Sequence, residues 1–195
     1  MPPLDIIKVR SVIVELDKLK GVKRQTLVLG GRRRENAAEH SWHAAVSLLL
    51  LIKSTDLDID LLKLLKMALI HDICEIDHGD TPIYTADHSN KFGQESDCMK
   101  RICNLYPEFL EEFEGLWLDY EEQKSPESKL LKVADRILPF FLNLETSGRK
   151  WLEQSVSRSQ VIAVNQPVQE VMPELYDWIV KQIDDAVGKG WLIDS

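Results

Sequence analysis

The stretch Leu69-Ile70-His71-Asp72-Ile73-Cys74-Glu75 places one histidine and two carboxylates at the end of an apolar run. If this run is helical, His71 and Glu75 lie one turn apart on the same face, with Asp72 about 100° around the axis. Burying such groups among apolar residues costs several kcal/mol unless they are paired or bound to a metal. An ordinary ion pair between the histidine and its neighbour is the simplest interpretation. A metal-binding or proton-transfer site is the alternative.

Two other apolar segments carry groups of the same kind. Asn36 and Glu39 have the spacing of a capping box, which predicts that a helix begins there with His40 in its first turn. Residues 130–138 form a third apolar segment with one carboxylate, Asp135, at a position where an unpaired aspartate is unfavourable. Three predicted helices therefore each bring a metal-competent side chain into apolar surroundings, which favours the metal site.

The candidate ligands form a mixed nitrogen and oxygen set: His40, His71, Asp72 and Asp135. Such a set suits one divalent manganese, iron, cobalt, nickel or zinc ion and leaves coordination positions free for water and substrate. Because no cysteine belongs to the set, it is not typical of a structural zinc site.

The order of these motifs resembles that of the HD-domain metal-dependent phosphohydrolases, which carry a histidine, a later His-Asp pair and a final aspartate on separate helices. The sequence His71-Asp72-Ile73-Cys74-Glu75, followed by Gly79-Asp80-Thr81-Pro82, is similar to the 5'-deoxynucleotidase subgroup. The resemblance covers roughly residues 20–147. It implies a single HD domain over residues 1–195, with the C-terminal helices at 149–188 packed on the motif-bearing core.

The resemblance also implies roles for individual residues. His40, His71, Asp72 and Asp135 correspond to the ligands of one divalent transition metal ion; Glu75 corresponds to the catalytic carboxylate, Asp80 to a residue that contacts the sugar and the reacting site, and Arg24 to a substrate-binding arginine. The implied reaction converts deoxyribonucleoside 5'-monophosphates to deoxynucleoside and phosphate. Gln25 stands where the subgroup often has a tryptophan near the sugar, which leaves the choice between deoxyribose and ribose open.

Two other functions remain open at this point: hydrolysis of another small phosphate ester, and non-catalytic binding of a metal or nucleotide by a helical protein. Glu75 and Asp80 favour catalysis, because a structural site needs no carboxylates beyond its ligands. Lys132, one turn before Asp135, is a candidate phosphate contact. A bulkier substrate needs more positive groups, and the sequence offers few besides the run Arg32–Arg34.

Composition narrows the class of partner. A formal net charge of −8 argues against duplex nucleic acid but permits a small nucleotide substrate. The most apolar stretch, residues 44–52, is too short to cross a bilayer. Three cysteines without a Cys-x-x-Cys pair predict reduced thiols and a cytoplasmic protein. Large apolar side chains favour a homodimer: Trp117, Trp151, Trp178 and Trp191.

Helical periodicity runs through most of the chain and predicts an all-α fold, a single HD-domain bundle of about six to eight helices. The expected helices cover residues 4–20, 37–53, 58–77, 91–106 and 107–123, then a helix from Ser125 that is kinked by Pro139, and a last one over residues 167–187. His43 is expected to be a packing residue near the site, and His78 and His88 to be exposed in a turn-rich stretch.

Overall fold

The computed structural model describes residues 4–84 and 90–195, so the expected exposure of His88 lies outside the described residues. The described elements, in chain order, are α1 Ile6–Asp17, β1 Lys23–Leu27, β2 Arg34–Asn36, α2 Ala37–Leu51, α3 Leu61–Ile70, α4 Glu75–His78, α5 Lys91–Cys103, α6 Pro107–Glu122, α7 Pro126–Glu145, α8 Arg149–Glu153, α9 Arg158–Val171 and α10 Pro173–Gly188. The predicted all-α class is confirmed. The ten helices of these residues exceed the predicted six to eight, since α4 and α8 are single turns.

A short hairpin was not predicted. β1 and β2 pair antiparallel, and Gly30 and Gly31 in the connection both have positive φ, a conformation that favours glycine. Strands of five and three residues are too short to display the alternating pattern by which strands are recognised. The hairpin matters because β2 ends at Asn36, the residue whose side chain caps α2. It thereby fixes β1 and β2 beside the first turn of α2.

Helix α7 lies at the centre of the fold. On one side it packs with α2 and α3 through a cluster that includes Leu48, Leu64 and Leu131. On the other side Val133 and Phe140 pack with residues of α9 and α10. Because α2, α3 and α7 meet in one core, the polar residues on their facing sides are brought to the same place.

The helix predicted over residues 58–77 is wrong in its second half. α3 ends at Ile70, and residues 71–74 form a turn before α4. In this turn the backbone N–H groups of Ile73 and Glu75 donate to the carbonyls three residues earlier, those of Ile70 and Asp72. Side chains three apart align when the backbone tightens in this way. Asp72 and Glu75 therefore share a face, rather than His71 and Glu75.

The C-terminal part also departs from the prediction. The expected last helix beginning at Pro167 is wrong, because Pro167 lies inside α9, which begins after a capping box of Ser157 and Gln160. The last helix begins instead at Pro173, in the first turn, where a proline costs no backbone hydrogen bond. Helix α7 continues through Pro139 to Glu145.

The surface differs from expectation at the tryptophans. Trp117 and Trp151 are each only 1% exposed, so these two predicted interface residues belong to the core. The three cysteines are free thiols, as predicted from their number and spacing. Within the described ranges, none of the helices is both long and apolar enough to pass through a membrane.

Candidate metal centre

Four elements bring the predicted site residues together. His40 comes from the first turn of α2, His71 and Asp72 from the turn after α3, and Asp135 from the middle of α7. Donor atoms of His40, His71 and Asp72 all lie within 4.8 Å of one another. His40 Nε2 lies 3.1 Å from Asp135 Oδ1 and 3.9 Å from Asp72 Oδ2. The arrangement is a buried group of nitrogen and oxygen donors of the kind that holds a divalent metal ion.

His71 is oriented as a metal ligand. Its Nδ1 donates to the carbonyl of Ala68 at 2.8 Å, which leaves the unprotonated lone pair on Nε2. Nε2 is buried, has no hydrogen-bond partner among the described residues and lies 3.3 Å from Asp72 Oδ1. Burial lowers the pKa of His71, which keeps the imidazole neutral as ligation requires.

His40 is held between two carboxylates. Nε2 faces Asp135, and Nδ1 lies 3.6 Å from Glu35 Oε2. Burial opposes the charged imidazole, but hydrogen bonding to Asp135 and Glu35 outweighs burial and raises the pKa of His40 to about 9. A proton on His40 therefore neutralises part of the carboxylate charge, and a metal ion bound at Nε2 would replace it. Glu35 was missed by the sequence analysis, since a carboxylate on a three-residue strand carries no local sign of burial.

Tyr120 is the second residue that the sequence analysis missed. Its buried hydroxyl donates to Asp135 Oδ2 at 2.8 Å and accepts from Lys132 Nζ at 3.1 Å. The Tyr120 ring also packs edge-on against His71, with 5.2 Å between centroids. Burial would raise the pKa of Asp135, but Arg136 and the hydrogen bond to His40 hold this pKa well below its usual range. Asp135 is thus an ionised carboxylate with one oxygen fixed by Tyr120 and the other turned towards His40.

Arg24 on β1 lies at the middle of the acidic residues. Its guanidinium nitrogens lie 2.7 to 3.9 Å from oxygens of Glu35, Asp72, Glu75, Asp80 and Asp135, the shortest contact being with Asp72 Oδ2. Burial disfavours a charged guanidinium, but these carboxylates raise its pKa above the ordinary value. Arg24 therefore neutralises negative charge at the point where the predicted ligands and the predicted catalytic carboxylate meet.

Glu75 and Asp72 are neighbouring carboxylates with opposite pKa shifts. Burial and the charge of Asp72 raise the pKa of Glu75 well above its usual range. Burial acts in the same direction on Asp72, but His71 and Arg24 outweigh it and lower its pKa. Paired carboxylates whose pKa values are pushed apart are typical of sites where one group is an ion and the other moves a proton. The pKa of Asp80 is also raised, by burial.

The chemistry of the donor set fits a divalent cation. Five carboxylates surround Arg24, and a protonated His40 adds only one more positive charge. Negative charge remains in excess even when Glu75 is protonated. Buried polar atoms without a hydrogen-bond partner also concentrate here: Arg24 Nε, Glu35 Oε2, His40 Nδ1, His71 Nε2 and Glu75 Oε2. Such atoms are rare in a folded protein and indicate a missing ligand, water or ion.

A cavity of about 190 Å³ opens on this centre. Arg24, Asp72, Glu75, Asp80 and Asp135 form part of its wall. Lysines and a second arginine continue the wall: Lys91, Lys132, Arg136 and Lys150. The expectation that few positive groups exist besides Arg32–Arg34 is therefore wrong, because these cations are far apart in the sequence and are brought together by α5, α7 and α8.

Several other candidates lie away from the cavity. Arg33 donates to the Glu39 carboxylate with two bonds of 2.8 Å, so the basic run is neutralised at the start of α2. His43 stacks on Trp42 with 6.2 Å between ring centroids. His78 is exposed, as predicted. Neither of these histidines lies in the wall of the cavity.

Comparison with known proteins defines the class. The model of the HD domain family matches residues 16–176, and the chain therefore belongs to the HD-domain family, as the motifs predicted. A crystal structure of a predicted metal-dependent phosphohydrolase from Magnetospirillum magnetotacticum is 34% identical, with a TM-score of 0.90, and the match covers 99% of this chain and 100% of that one.

Two curated relatives carry a more specific name. The human 5'-deoxynucleotidase HDDC2 is 35% identical over 107 residues, which make up 54% of this chain and 51% of the relative. The fission yeast 5'-deoxynucleotidase hdd1 is 27% identical over 201 residues, covering 98% of this chain and 91% of the relative. The chain thus spans about half the length of the HDDC2 relatives that it matches and nearly all of hdd1.

Proposed function

We propose that this protein is a metal-dependent phosphoric monoester hydrolase that converts deoxyribonucleoside 5'-monophosphates to deoxynucleoside and phosphate. The observation that carries the proposal is the cavity that opens on the His-Asp centre, with Glu75 and Arg24 both in its wall. In the proposed site His40, His71, Asp72 and Asp135 hold one divalent manganese, iron, cobalt, nickel or zinc ion. The names of the human and fission yeast relatives support the same substrate class.

The bound ion supplies a water of lowered pKa and polarises a phosphoryl oxygen. Arg24 is proposed to bind the phosphate, since a guanidinium donates two parallel hydrogen bonds to such an anion. In the protein alone Arg24 bonds Asp72 at 2.7 Å, so a phosphate would compete with the carboxylates for this cation. Lys132, whose Nζ donates to the Tyr120 hydroxyl and lies over the Tyr120 ring, is a second proposed phosphate contact.

Glu75 is proposed to carry the proton of the reaction. Its raised pKa places a proton acceptor and donor near neutral pH, as general acid–base catalysis requires. Glu75 Oε2 is buried without a hydrogen-bond partner among the described residues, so this oxygen is free to bond the attacking water or the leaving alkoxide. The carboxylate is 3.9 Å from Arg24 and is therefore beside the proposed position of the phosphate.

Asp80 is proposed to contact the sugar of the substrate. The backbone N–H of Gln25 and the guanidinium of Arg24 both lie against its carboxylate, which leaves it an acceptor at the edge of the cavity. A sugar hydroxyl donates to a carboxylate, whereas a phosphate oxygen is repelled by it. Asp80 thus favours a substrate in which a hydroxylated group follows the phosphate, as in a nucleotide.

The proposal is tested by stripping the protein of metal and measuring phosphate release after manganese, cobalt or zinc is added back. The substrates are the deoxyribonucleoside and ribonucleoside 5'-monophosphates. We expect metal-dependent release with a preference for the deoxy series. Release from both series at equal rates would contradict the sugar preference, and release from other phosphate esters alone would contradict the substrate class.

We also propose a cytoplasmic homodimer, for reasons other than the tryptophans. The cysteines are free thiols, which suits a reducing compartment. Neighbouring faces of α2 and α3 expose large apolar side chains: Trp42, Val46, Leu49, Leu50, Leu61, Leu62 and Leu69. A contiguous exposed apolar patch of this kind is typical of an association surface.

The dimer is tested by Leu50→Glu, which places a charge on a residue that is 69% exposed in this patch. Sedimentation velocity should show dimers for the unaltered protein and monomers for the variant. Leu152→Glu is the matched control, since Leu152 is similarly exposed but lies on α8. Dimers that survive Leu50→Glu, or monomers at every concentration of the unaltered protein, would contradict the proposed surface.

A further inference from the structure

One face of α7 forms a long side of the cavity. Lys132, Arg136, Pro139 and Asn143 all lie in the cavity wall, at spacings of four, three and four residues. Such spacings place side chains along one helical stripe. Because a helix rises about 1.5 Å per residue, Asn143 is about 12 Å along α7 from Asp135. The cavity therefore continues two helical turns beyond the proposed metal ligand.

The chemistry of the wall changes along this stripe. Lys132 and Arg136 are cations that lie within a turn of Asp135. Around Asn143 the wall consists mainly of neutral residues: Gln25, Thr26, Trp151, Gln154 and Val164. Lys150 also reaches this part, but its Nζ is paired with Glu153. The end of the cavity that is remote from the metal centre is therefore suited to an uncharged polar group.

Asn143 presents a hydrogen-bond acceptor that has no partner. Its residue is 7% exposed, and its Nδ2 donates to the carbonyl of Pro139 at 2.9 Å. This bond fixes the orientation of the amide, because the reverse orientation would set two oxygens against each other. Oδ1 is then a buried acceptor without a partner among the described residues. A buried acceptor in a cavity wall is satisfied when a ligand donates to it.

Two glutamines border the same part of the cavity. Gln154 Nε2 and Gln25 Oε1 are 3.4 Å apart, which is longer than the usual 2.9–3.0 Å of an N–H···O bond. Each side chain retains a second polar atom, Nε2 of Gln25 and Oε1 of Gln154, for which no bond to a described residue is formed. The pair therefore offers one donor and one acceptor next to Asn143.

We infer that Asn143, with Gln25 and Gln154, forms a subsite for the nucleobase of the substrate, and this inference rests on the proposed function. Every base carries an N–H group on its Watson–Crick edge, so Asn143 Oδ1 has a donor to accept from whichever base is bound. The glutamine amides meet the donors and acceptors beside it. The subsite recognises a base without selecting one, and a sugar phosphate that lacks a base leaves it empty.

The test compares a deoxyribonucleoside 5'-monophosphate with 2-deoxyribose 5-phosphate, which has the same reacting end and no base. Asn143→Leu removes the acceptor and keeps the size of the side chain. We expect kcat/KM for the nucleotide to fall about tenfold, which corresponds to about 1.4 kcal/mol. For the sugar phosphate we expect less than a twofold change. The difference between the two substrates is the measured quantity, because a merely structural effect lowers both.

Asn165 provides a matched control. It is 1% exposed, its Nδ2 donates to the carbonyl of Val161 at 2.9 Å, and its Oδ1 is also unpartnered within the described chain. It does not lie in the cavity wall. Asn165→Leu therefore repeats the loss of a buried amide on another helix. We expect it to leave the ratio of the two kcat/KM values unchanged.

Binding of the free deoxynucleoside, measured by calorimetry, is a second readout that needs no turnover. Weaker binding to Asn143→Leu than to Asn165→Leu supports the subsite. Equal binding, or equal loss of activity towards both substrates, overturns it while leaving the phosphohydrolase proposal intact. Absence of phosphate release from every substrate overturns the proposed function instead. If Asn143→Leu does not fold, Gln154→Leu at the border of the cavity replaces it in the same comparison.

Discussion

Removal of the Tyr120 hydroxyl isolates how much the surroundings of one proposed ligand contribute to metal binding. Tyr120→Phe keeps the ring that packs against His71 at 5.2 Å and lies under Lys132 at 4.3 Å. It removes only the bond of 2.8 Å to Asp135 Oδ2. Asp135 then loses the donor that fixes the direction of its carboxylate. We expect weaker metal binding with little change in the fold.

The size of the effect follows from the contact. A hydrogen bond to a charged group contributes about 1.5–3 kcal/mol. Loss of an outer partner of a metal ligand typically costs about 10- to 100-fold in metal affinity, and tenfold corresponds to about 1.4 kcal/mol. The two magnitudes agree. We therefore expect Tyr120→Phe to weaken metal binding by about 10- to 100-fold and to lower turnover much less once the metal is saturating.

The assay is a zinc or manganese titration against a competing chelator, with phosphate release measured at saturating metal. Tyr106→Phe is the matched control, since Tyr106 is also 4% exposed and its hydroxyl accepts from the backbone N–H of Asp5, away from the site. It should leave the affinity unchanged. Unaltered affinity in Tyr120→Phe would refute the reasoning that Tyr120 orients a ligand.

Three further outcomes are expected. Gly148→Ala should lower the unfolding temperature, because Gly148 has a φ of +66° and an added Cβ would meet Trp191 Cβ at 2.4 Å, whereas Gly115→Ala, with nothing within 4 Å, should not. Arg101→Met should destabilise the protein at pH 7 but not at pH 3 in urea unfolding, since the pKa values of Asp77 and Glu15 are lowered in the folded state and their contribution is lost as pH falls; an equal difference at both pH values would contradict this. Lys132→Met should raise KM for the nucleotide about tenfold in steady-state kinetics; an unchanged KM would remove Lys132 from the phosphate site.

The ligand set was predictable because each member carries a local signal. His40, His71, Asp72 and Asp135 are polar residues in strongly apolar segments, and that conflict is visible in the sequence alone. The helices that carry them follow from periodicity and from caps such as Asn36 with Glu39. The structure brings these residues together, with Glu75, Asp80 and Arg24 beside them.

What could not be predicted depends on long-range packing. Glu35 and Tyr120 touch proposed ligands that are distant in sequence or on another element, and nothing near them indicates this. The hairpin that carries Arg24 is too short for its pattern to be recognised. The break after Ile70 was missed because an apolar helical pattern continues through it, while the backbone tightens into bonds of i to i+3.

The most direct test of the account measures metal content and phosphate release together in two variants. Glu75→Gln removes the proposed proton carrier, and Asp72→Asn alters a proposed ligand. We predict that Glu75→Gln retains the metal and loses turnover, while Asp72→Asn loses both. Glu127→Gln, a change to a buried carboxylate that pairs with Lys63 outside the cavity, should retain both. Full turnover in Glu75→Gln, or loss of metal from it equal to that in Asp72→Asn, would contradict the assignment of Glu75 as the proton-transferring residue.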